Sequence, residues 1–399
     1  MYETYCRTYQ RTLKIASHLL KWRQPVLLEG ENSLLRLPDL IQSKGLNRVL
    51  IVTDAGIITL GLMNPFLEKL DEVGVSYTIF DKTVPNPTIT NIEEAYLKYR
   101  AKRCEGIVAF GGGSPMDCAK GVAARVANPH RQIEQMKGFL KVRKAMPPFF
   151  AVPTTAGTGS ETTVAAVVSN SYTHEKYALN DTSLIPHYAV LDPLLTLKLP
   201  PHITSTTGID ALTHAVEAYI GRSNTKETIE YSQQAVKIIF NYLYEAYENG
   251  DNIEARTQMQ KASFLAGAAF TRAYVGNVHA IAHTLGGFYS VPHGLANAVI
   301  LPYILDYYGE AVHKQLAELA DIAGVGAHAD TDAVKAEKFI EAIRELNASM
   351  NIPTTIEGIK DRDIPLMVER ALAEANPFYP VPKIMNRVDM TGIYQAIKV

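Results

Sequence analysis

The sequence predicts an α/β domain over residues 1–199, carrying a helical N-terminal extension over 1–24, followed by an all-helical domain over 200–399. Three observations carry that prediction. From Arg48 to Lys176, short continuous apolar runs alternate with helix-length segments. At Leu199-Pro200-Pro201-His202 the alternation stops. Beyond it, apolar residues recur at helical intervals and strand-like runs are nearly absent. Continuous apolar strands separated by helices mean a parallel sheet covered on both faces.

The elements follow in order. Thr4 to Trp22 sets Leu13, Ile15, Ala16, Leu19 and Leu20 beside Arg7, Arg11, Lys14 and Lys21. This reads as an amphipathic helix packed on the body or on a partner subunit, with a membrane-surface helix as the alternative. Strands are predicted at Arg48–Asp54, Ser76–Phe80, Gly106–Phe110 and Phe149–Pro153, with helices near Asn64–Val73, Ile89–Arg103 and Pro115–Ala127. After the boundary, helices are predicted at Ser205–Tyr219, Thr228–Tyr247, Arg256–Ala273, Val278–Leu285 and Ala333–Met350.

Composition narrows the function. Lys and Arg number 39 against 41 Asp and Glu, a formal charge of −2, which gives no basic surplus for nucleic acid. No run of 18 apolar residues suggests a membrane span, and Met1-Tyr2-Glu3-Thr4-Tyr5-Cys6 lacks the start of a secretion signal. Three cysteines without C-x-x-C spacing suggest neither a disulfide framework nor a thiolate zinc site, so a reducing cytoplasm is expected.

Two loops in the first half suit a nucleotide. Gly111-Gly112-Gly113-Ser114-Pro115-Met116-Asp117 follows a strand and opens a helix, with Ser114 as the expected N-cap and Pro115 at the first helical position. Amides at a helix start, reached through residues without Cβ, make a seat for pyrophosphate. An ordinary capped helix would need fewer glycines. Asp54 ends an earlier strand, at the edge where open α/β sheets bind ligands; it could accept ribose hydroxyls and repel the 2′-phosphate of NADP, or cap the next helix. Val152-Pro153-Thr154-Thr155-Ala156-Gly157-Thr158-Gly159-Ser160-Glu161 is a second candidate phosphate or ribose loop, and Lys176 a candidate charge partner.

The second half supplies a sharper pattern. Asp210 and His214 stand at i and i+4, one face of a helix; His279 and His283 repeat the spacing, and His293 follows a Gly286-Gly287 break. A lone histidine in apolar surroundings is usually a core residue. Two such pairs and a third histidine in alanine-rich helices point to a metal with nitrogen and oxygen donors: divalent iron, zinc, cobalt or manganese. Three histidines and one aspartate leave a position open for a substrate oxygen, where the metal lowers a hydroxyl pKa or polarises a carbonyl. A nicotinamide anchored at Gly111–Ser114 would exchange hydride with that carbon. His283 could relay the hydroxyl proton or orient a ligand.

On these motifs the chain resembles the iron-containing (group III) alcohol dehydrogenases over residues 26–397. The resemblance implies a dehydroquinate-synthase-like architecture, with an α/β nucleotide-binding domain and an all-α metal-binding domain. It implies Fe2+, with Zn2+ possible, at Asp210, His214, His279 and His293, and a catalytic role near the metal for His283. It implies cofactor contacts at Asp54, Asn86, Gly111, Gly112, Gly113, Ser114, Asp117, Thr154, Thr155, Thr158 and Lys176, and NAD in preference to NADP. A homodimer or higher homo-oligomer acting on a small alcohol or aldehyde is expected. Phe270 matches a position lining the alcohol pocket. Arg272, seven residues before His279, would face the same way if the helix continued and would then favour an acid substrate; a structural salt bridge is the other reading. The main expectation is an NAD(H)-linked alcohol dehydrogenase or aldehyde reductase. The alternatives are a hydroxyacid–oxoacid transhydrogenase, an acid-semialdehyde reductase and, more remotely, a lyase.

Overall fold

The structure, a computed structural model, describes residues 1–17, 19, 20, 22–170 and 176–399. His18, Lys21 and the run 171–175, all inside predicted segments, lie outside the described residues. The chain divides into two compact units, Lys21–Lys198 and Met1–Leu20 together with Leu199–Val399.

Chain order begins with α1 (Tyr2–Ser17). The α/β unit then runs β1 (Val26–Glu29), α2 (Leu37–Ser43), β2 (Arg48–Val52), α3 (Ala55–Leu60), α4 (Asn64–Glu72), β3 (Ser76–Phe80), α5 (Ile89–Ala101), β4 (Gly106–Gly111) and α6 (Gly113–Ala127). It closes with β5 (Gly138–Phe139), β6 (Phe149–Pro153), β7 (Ala165–Ser169), β8 (Lys176–Asn180) and β9 (Tyr188–Leu191). Six strands form one parallel sheet in the order β1-β9-β6-β4-β2-β3, and β5-β8-β7 form a small second sheet.

Successive residues of these strands feed two separate cores, as the two-residue side-chain period requires. Leu50, Val52, Ile107, Ala109, Phe149 and Ala151 belong to one; Val49, Ile51, Val108, Phe110, Phe150 and Val152 belong to the other. Both faces are covered, which is why the strands are apolar throughout. The chain leaves β2 toward β3 on one side and leaves β4 toward β6 on the other. β2 and β4 are neighbours, so their carboxyl ends mark the switch point where such sheets bind ligands.

The helical unit contains α7 (Pro201–Ile220), α8 (Lys226–Glu248), α9 (Ile253–Ala273), α10 (Asn277–Tyr289), α11 (His293–Tyr308), α12 (His313–Ala323), α13 (Asp332–Ser349), α14 (Ile364–Ala375) and α15 (Arg387–Ile397). α7 is buried on nearly every side, packed against α8, α9 and α11.

Four expectations need correction. The extension was assigned to the α/β domain, yet α1 groups with the helical unit because Arg7 and Gln10 donate to the carbonyls of Val381, Pro382 and Tyr379. Gly112, extended at φ −78° and ψ −159°, is the N-cap of α6 in place of Ser114, and Pro115 sits in the first turn, where no amide is needed. Gly286-Gly287 does not break α10; two glycines cost about 1 kcal/mol each against alanine, and the helix stops at left-handed Ser290 before Pro292. The helix carrying Arg272 does not continue to His279, because Tyr274 at φ 68° ends α9.

Candidate metal centre and nucleotide loop

At the start of α6 the two predicted loops meet. The amide of Thr154 donates to the Gly111 carbonyl at 3.1 Å. Thr155 lies against Gly112 and Thr158 against Gly113, where a Cβ would sit 2.9 Å from Thr158 Cγ2. The amides of Gly113 and Ser114 fall in the first turn, where no preceding helical carbonyl exists to accept them. Asp117 lies one turn on, half-buried, with Ser160 Oγ donating to it at 3.3 Å; desolvation pushes its carboxyl up to about 6. Asn86, at φ 55°, accepts from Lys176 Nζ at 2.8 Å. Asp54 follows β2 beside the same switch point and caps α3, its Oδ1 accepting the Ile57 amide at 3.1 Å. One oxygen makes the cap, so both roles read from the sequence can coexist on one carboxylate.

Behind this loop stands a residue the sequence reading missed. Lys120 of α6 is fully buried and donates to the Thr163 carbonyl and hydroxyl and to the Ala165 carbonyl at 2.8–2.9 Å. Burial pulls its ammonium down to about 8 and pushes the neighbouring Glu161 carboxyl up to about 7, each charge opposing the other's shift.

In the helical unit, Asp210 and His214 of α7, His279 of α10 and His293 of α11 bring one ligand atom each to within 4.8 Å of all the others. Asp210 Oδ1 is 3.8 Å from His279 Nε2 and 3.6 Å from His293 Nε2. A tetrahedral metal with bonds of about 2.1 Å needs ligand pairs about 3.4 Å apart, so these two pairs lie within a few tenths of an ångström of the spacing a divalent ion requires. Its position depends on Gly294, whose Cβ would meet the Thr206 carbonyl of α7 at 2.4 Å; only glycine lets the start of α11, and with it His293, come this close.

The sequence reading also missed the groups that aim the imidazoles. Glu217, seven residues past Asp210 and so on the same face of α7, accepts from His279 Nδ1 at 2.6 Å and from the amides of Gly276 and Val278 at 2.8 Å. A carboxylate only accepts, so Nδ1 carries the proton and Nε2 keeps its lone pair for the cluster. Asn297, one turn after His293, donates to Asp210 Oδ1 at 2.6 Å. Both lie at helical spacing from predicted ligands, and that spacing could have found them. No such signal exists for Glu374 of α14, whose Oε1 accepts from His283 Nδ1 at 2.7 Å and from the Tyr379 hydroxyl at 2.7 Å. Burial raises Glu374, but His283 and Tyr379 outweigh it and hold the carboxyl below its ordinary value. The His283 ring stacks on His293 at 5.2 Å.

Phe270 stacks on His214 with ring centroids 4.1 Å apart, beside the cluster. Arg272 forms an ion pair with Glu227, which also accepts from the Tyr231 hydroxyl.

The sequence profile of iron-containing alcohol dehydrogenases matches residues 25–193, and that of the C-terminal region of the Fe-containing alcohol dehydrogenase family matches 204–398. The chain belongs to the iron-containing alcohol dehydrogenase family. It is similar to a 1,3-propanediol dehydrogenase of Klebsiella pneumoniae, 38% identical over 371 residues, 92% of this chain and 95% of the relative. A lactaldehyde reductase of Escherichia coli K12 is 32% identical, covering 86% of this chain and 90% of its own length. The solved alcohol dehydrogenase of Oenococcus oeni superposes with a TM-score of 0.91 at 36% identity, over 94% of this chain and 99% of that one. As this family implies, the enzyme is a nicotinamide- and metal-dependent oxidoreductase. No helix among the described residues is long and apolar enough to cross a membrane.

Proposed function

We propose that this iron-type alcohol dehydrogenase oxidises a small primary or secondary alcohol with NAD, and reduces the aldehyde when NADH is abundant. The observation that carries the reading is the convergence of Asp210, His214, His279 and His293, with Glu217 fixing the tautomer of one of them. These four residues would hold divalent iron, or zinc in its place. When bound, the metal supplies Lewis acidity toward a hydroxyl or carbonyl oxygen, and the nicotinamide takes or gives the hydride. The amides of Gly113 and Ser114 bind pyrophosphate, with Gly111, Gly112, Asp117, Thr154, Thr155 and Thr158 shaping the seat and Asn86 and Lys176 beside it. Asp54 accepts ribose hydroxyls and disfavours NADP. His283, protonated on Nδ1 toward Glu374, has Nε2 left to take the alcohol proton and return it to the aldehyde.

Phe270 lines the alcohol side. The ion pair with Glu227 occupies Arg272, so the acid-substrate reading loses the residue that suggested it. Names of the relatives, a propanediol dehydrogenase and a lactaldehyde reductase, support a small hydroxylated substrate. A homodimer or higher homo-oligomer in the cytoplasm is the proposed working form; three buried free thiols suit a reducing compartment.

The test is NADH formation by metal-stripped protein given iron(II) or zinc(II) anaerobically, against a panel of alcohols and hydroxy acids. His279→Ala is expected to lose metal and at least about 10³-fold in kcat/KM, equivalent to the several kcal/mol a Lewis acid supplies. Absence of turnover with verified metal and NAD binding would overturn the dehydrogenase reading.

A further inference from the structure

We propose that α1 is a positioning strap for the His283 side chain, acting through Tyr379 and Glu374. The importance of His283 rests on the reading above; the strap itself rests on the geometry of the helical unit. The matched family profiles begin at residue 25, so they assign α1 no role.

The segment that α1 holds is poor at holding itself. After α14 the chain reads Asn376-Pro377-Phe378-Tyr379-Pro380-Val381-Pro382. Its prolines have no amide to donate, so apart from the Tyr379 carbonyl, which also accepts from the Val381 amide at 2.9 Å, its carbonyls must be satisfied from elsewhere. Gln10 Nε2 donates to the Tyr379 carbonyl at 2.7 Å. Arg7 donates from Nη1 to the Val381 carbonyl at 2.6 Å and from Nη2 to the Pro382 carbonyl at 2.9 Å. Arg7 Nη1 also reaches Gln10 Oε1 at 3.0 Å, which fixes the two side chains relative to each other. The Pro380 carbonyl is taken by the Arg222 amide at 2.7 Å, and Lys14 of α1 donates to the Arg222 carbonyl at 3.1 Å. Four successive carbonyls are therefore engaged, three of them by α1. Charge-assisted bonds from a guanidinium fork fix both distance and direction.

That same segment carries the Tyr379 hydroxyl, which donates to Glu374 Oε1, the oxygen that accepts from His283 Nδ1. The route from Gln10 to the imidazole is thus Tyr379 backbone, Tyr379 side chain, Glu374, His283. Loosening the segment frees Glu374 to rotate and lets the imidazole turn or change tautomer, which would misplace Nε2.

The experiment uses the full chain with Arg7→Ala and Gln10→Ala combined, Tyr379→Phe, and the triple variant. Thr12→Ala, at an exposed position of the same helix, is the control expected to behave as wild type. Backbone hydrogen exchange in metal-free protein should quicken over residues 376–382 and 279–285, and hardly elsewhere. With metal and NAD, kcat should fall about tenfold with KM little changed, the low end for losing an orienting partner. In the Tyr379→Phe background the α1 substitutions should cost less than about twofold more, because both act through one path. Arg7→Lys, which can reach one carbonyl but not two, should recover part of the rate.

The strap is overturned if exchange over 376–382 is unchanged, if Tm falls while kcat holds, or if the two losses multiply. If the double variant does not fold, Gln10→Ala alone carries the same comparisons. A wild-type chain that oxidises no alcohol sinks the functional reading, while the exchange pattern still decides the strap.

Discussion

At the start of α6 the groups proposed to meet a ligand are main-chain amides, and the side chains around them matter by the room they leave. At the candidate metal centre the main chain is hidden in helices and every candidate donor is a side chain, placed by i, i+4 spacing and held by a second carboxylate or amide. The first arrangement is sensitive to one added methyl group and tolerant of altered chemistry nearby. The second tolerates alanine all around it but not the loss of a hydrogen-bond acceptor. A backbone site is made by shape, a side-chain site by orientation.

The largest effect should come from attacking orientation. Glu217→Gln keeps volume but can no longer accept from His279 Nδ1 and two amides together. Metal affinity should fall about 10- to 100-fold, the usual cost of removing a partner that orients a ligand. Competition with a chelator reads this directly. Unchanged affinity would mean that helix packing alone aims the imidazole, and the contrast with the nucleotide loop would fail.

The two regions also differ in how far the sequence revealed them. The glycine run could be read because α6 follows β4 directly; its start was misplaced by two residues because an extended glycine caps a helix without any side chain to announce it. Asp210, His214, His279 and His293 were legible because helical periodicity puts them on shared faces. Glu217 and Asn297 obey that same periodicity and were overlooked. Glu374 lies 91 residues from the imidazole it holds, and only the fold brings them together. Lys120 was hidden for a different reason: a lysine in a helix reads as solvated, and nothing local shows that three oxygens surround its end. The predicted strands were found within about two residues at each end and the helices predicted from Asn64 onward within about four, but α11, 16 residues long, was not predicted. The shorter α2, α3, α12, α14 and α15 lack the length that makes a period visible.

A smaller effect tests shape. Gly113→Ala would place a Cβ 2.9 Å from Thr158 Cγ2, so the threonine loop must give by a few tenths of an ångström. NADH affinity should weaken about five- to tenfold, about 1–1.4 kcal/mol, with metal affinity untouched. Adding Thr158→Ser removes that methyl and should restore most of the binding; fluorescence titration of NADH reads both. Failure of the serine to rescue would show that the glycine matters for main-chain freedom and not for room.

The contrast weakens behind the loop, where Lys120 and Glu161 bury charge to brace a site built from main chain. Burial moves the Glu161 carboxyl from 4.5 to about 7. Between those values the folded chain keeps a proton that the unfolded chain has released, so this group's contribution to stability falls as pH rises. Lys120, pulled down only to about 8, stays charged throughout that window and tempers the loss. Glu161→Gln should therefore flatten the decline of Tm between pH 5 and 7, an effect on the order of 1 kcal/mol, or about 2–4 °C in a unit of this size. NADH affinity at pH 7 should stay within about twofold, since the carboxyl acts as buried support and not as a ligand. A variant with the wild-type pH slope would place the proton elsewhere in the cluster, with Asp117, itself pushed up to about 6, as the next group to exchange for its amide.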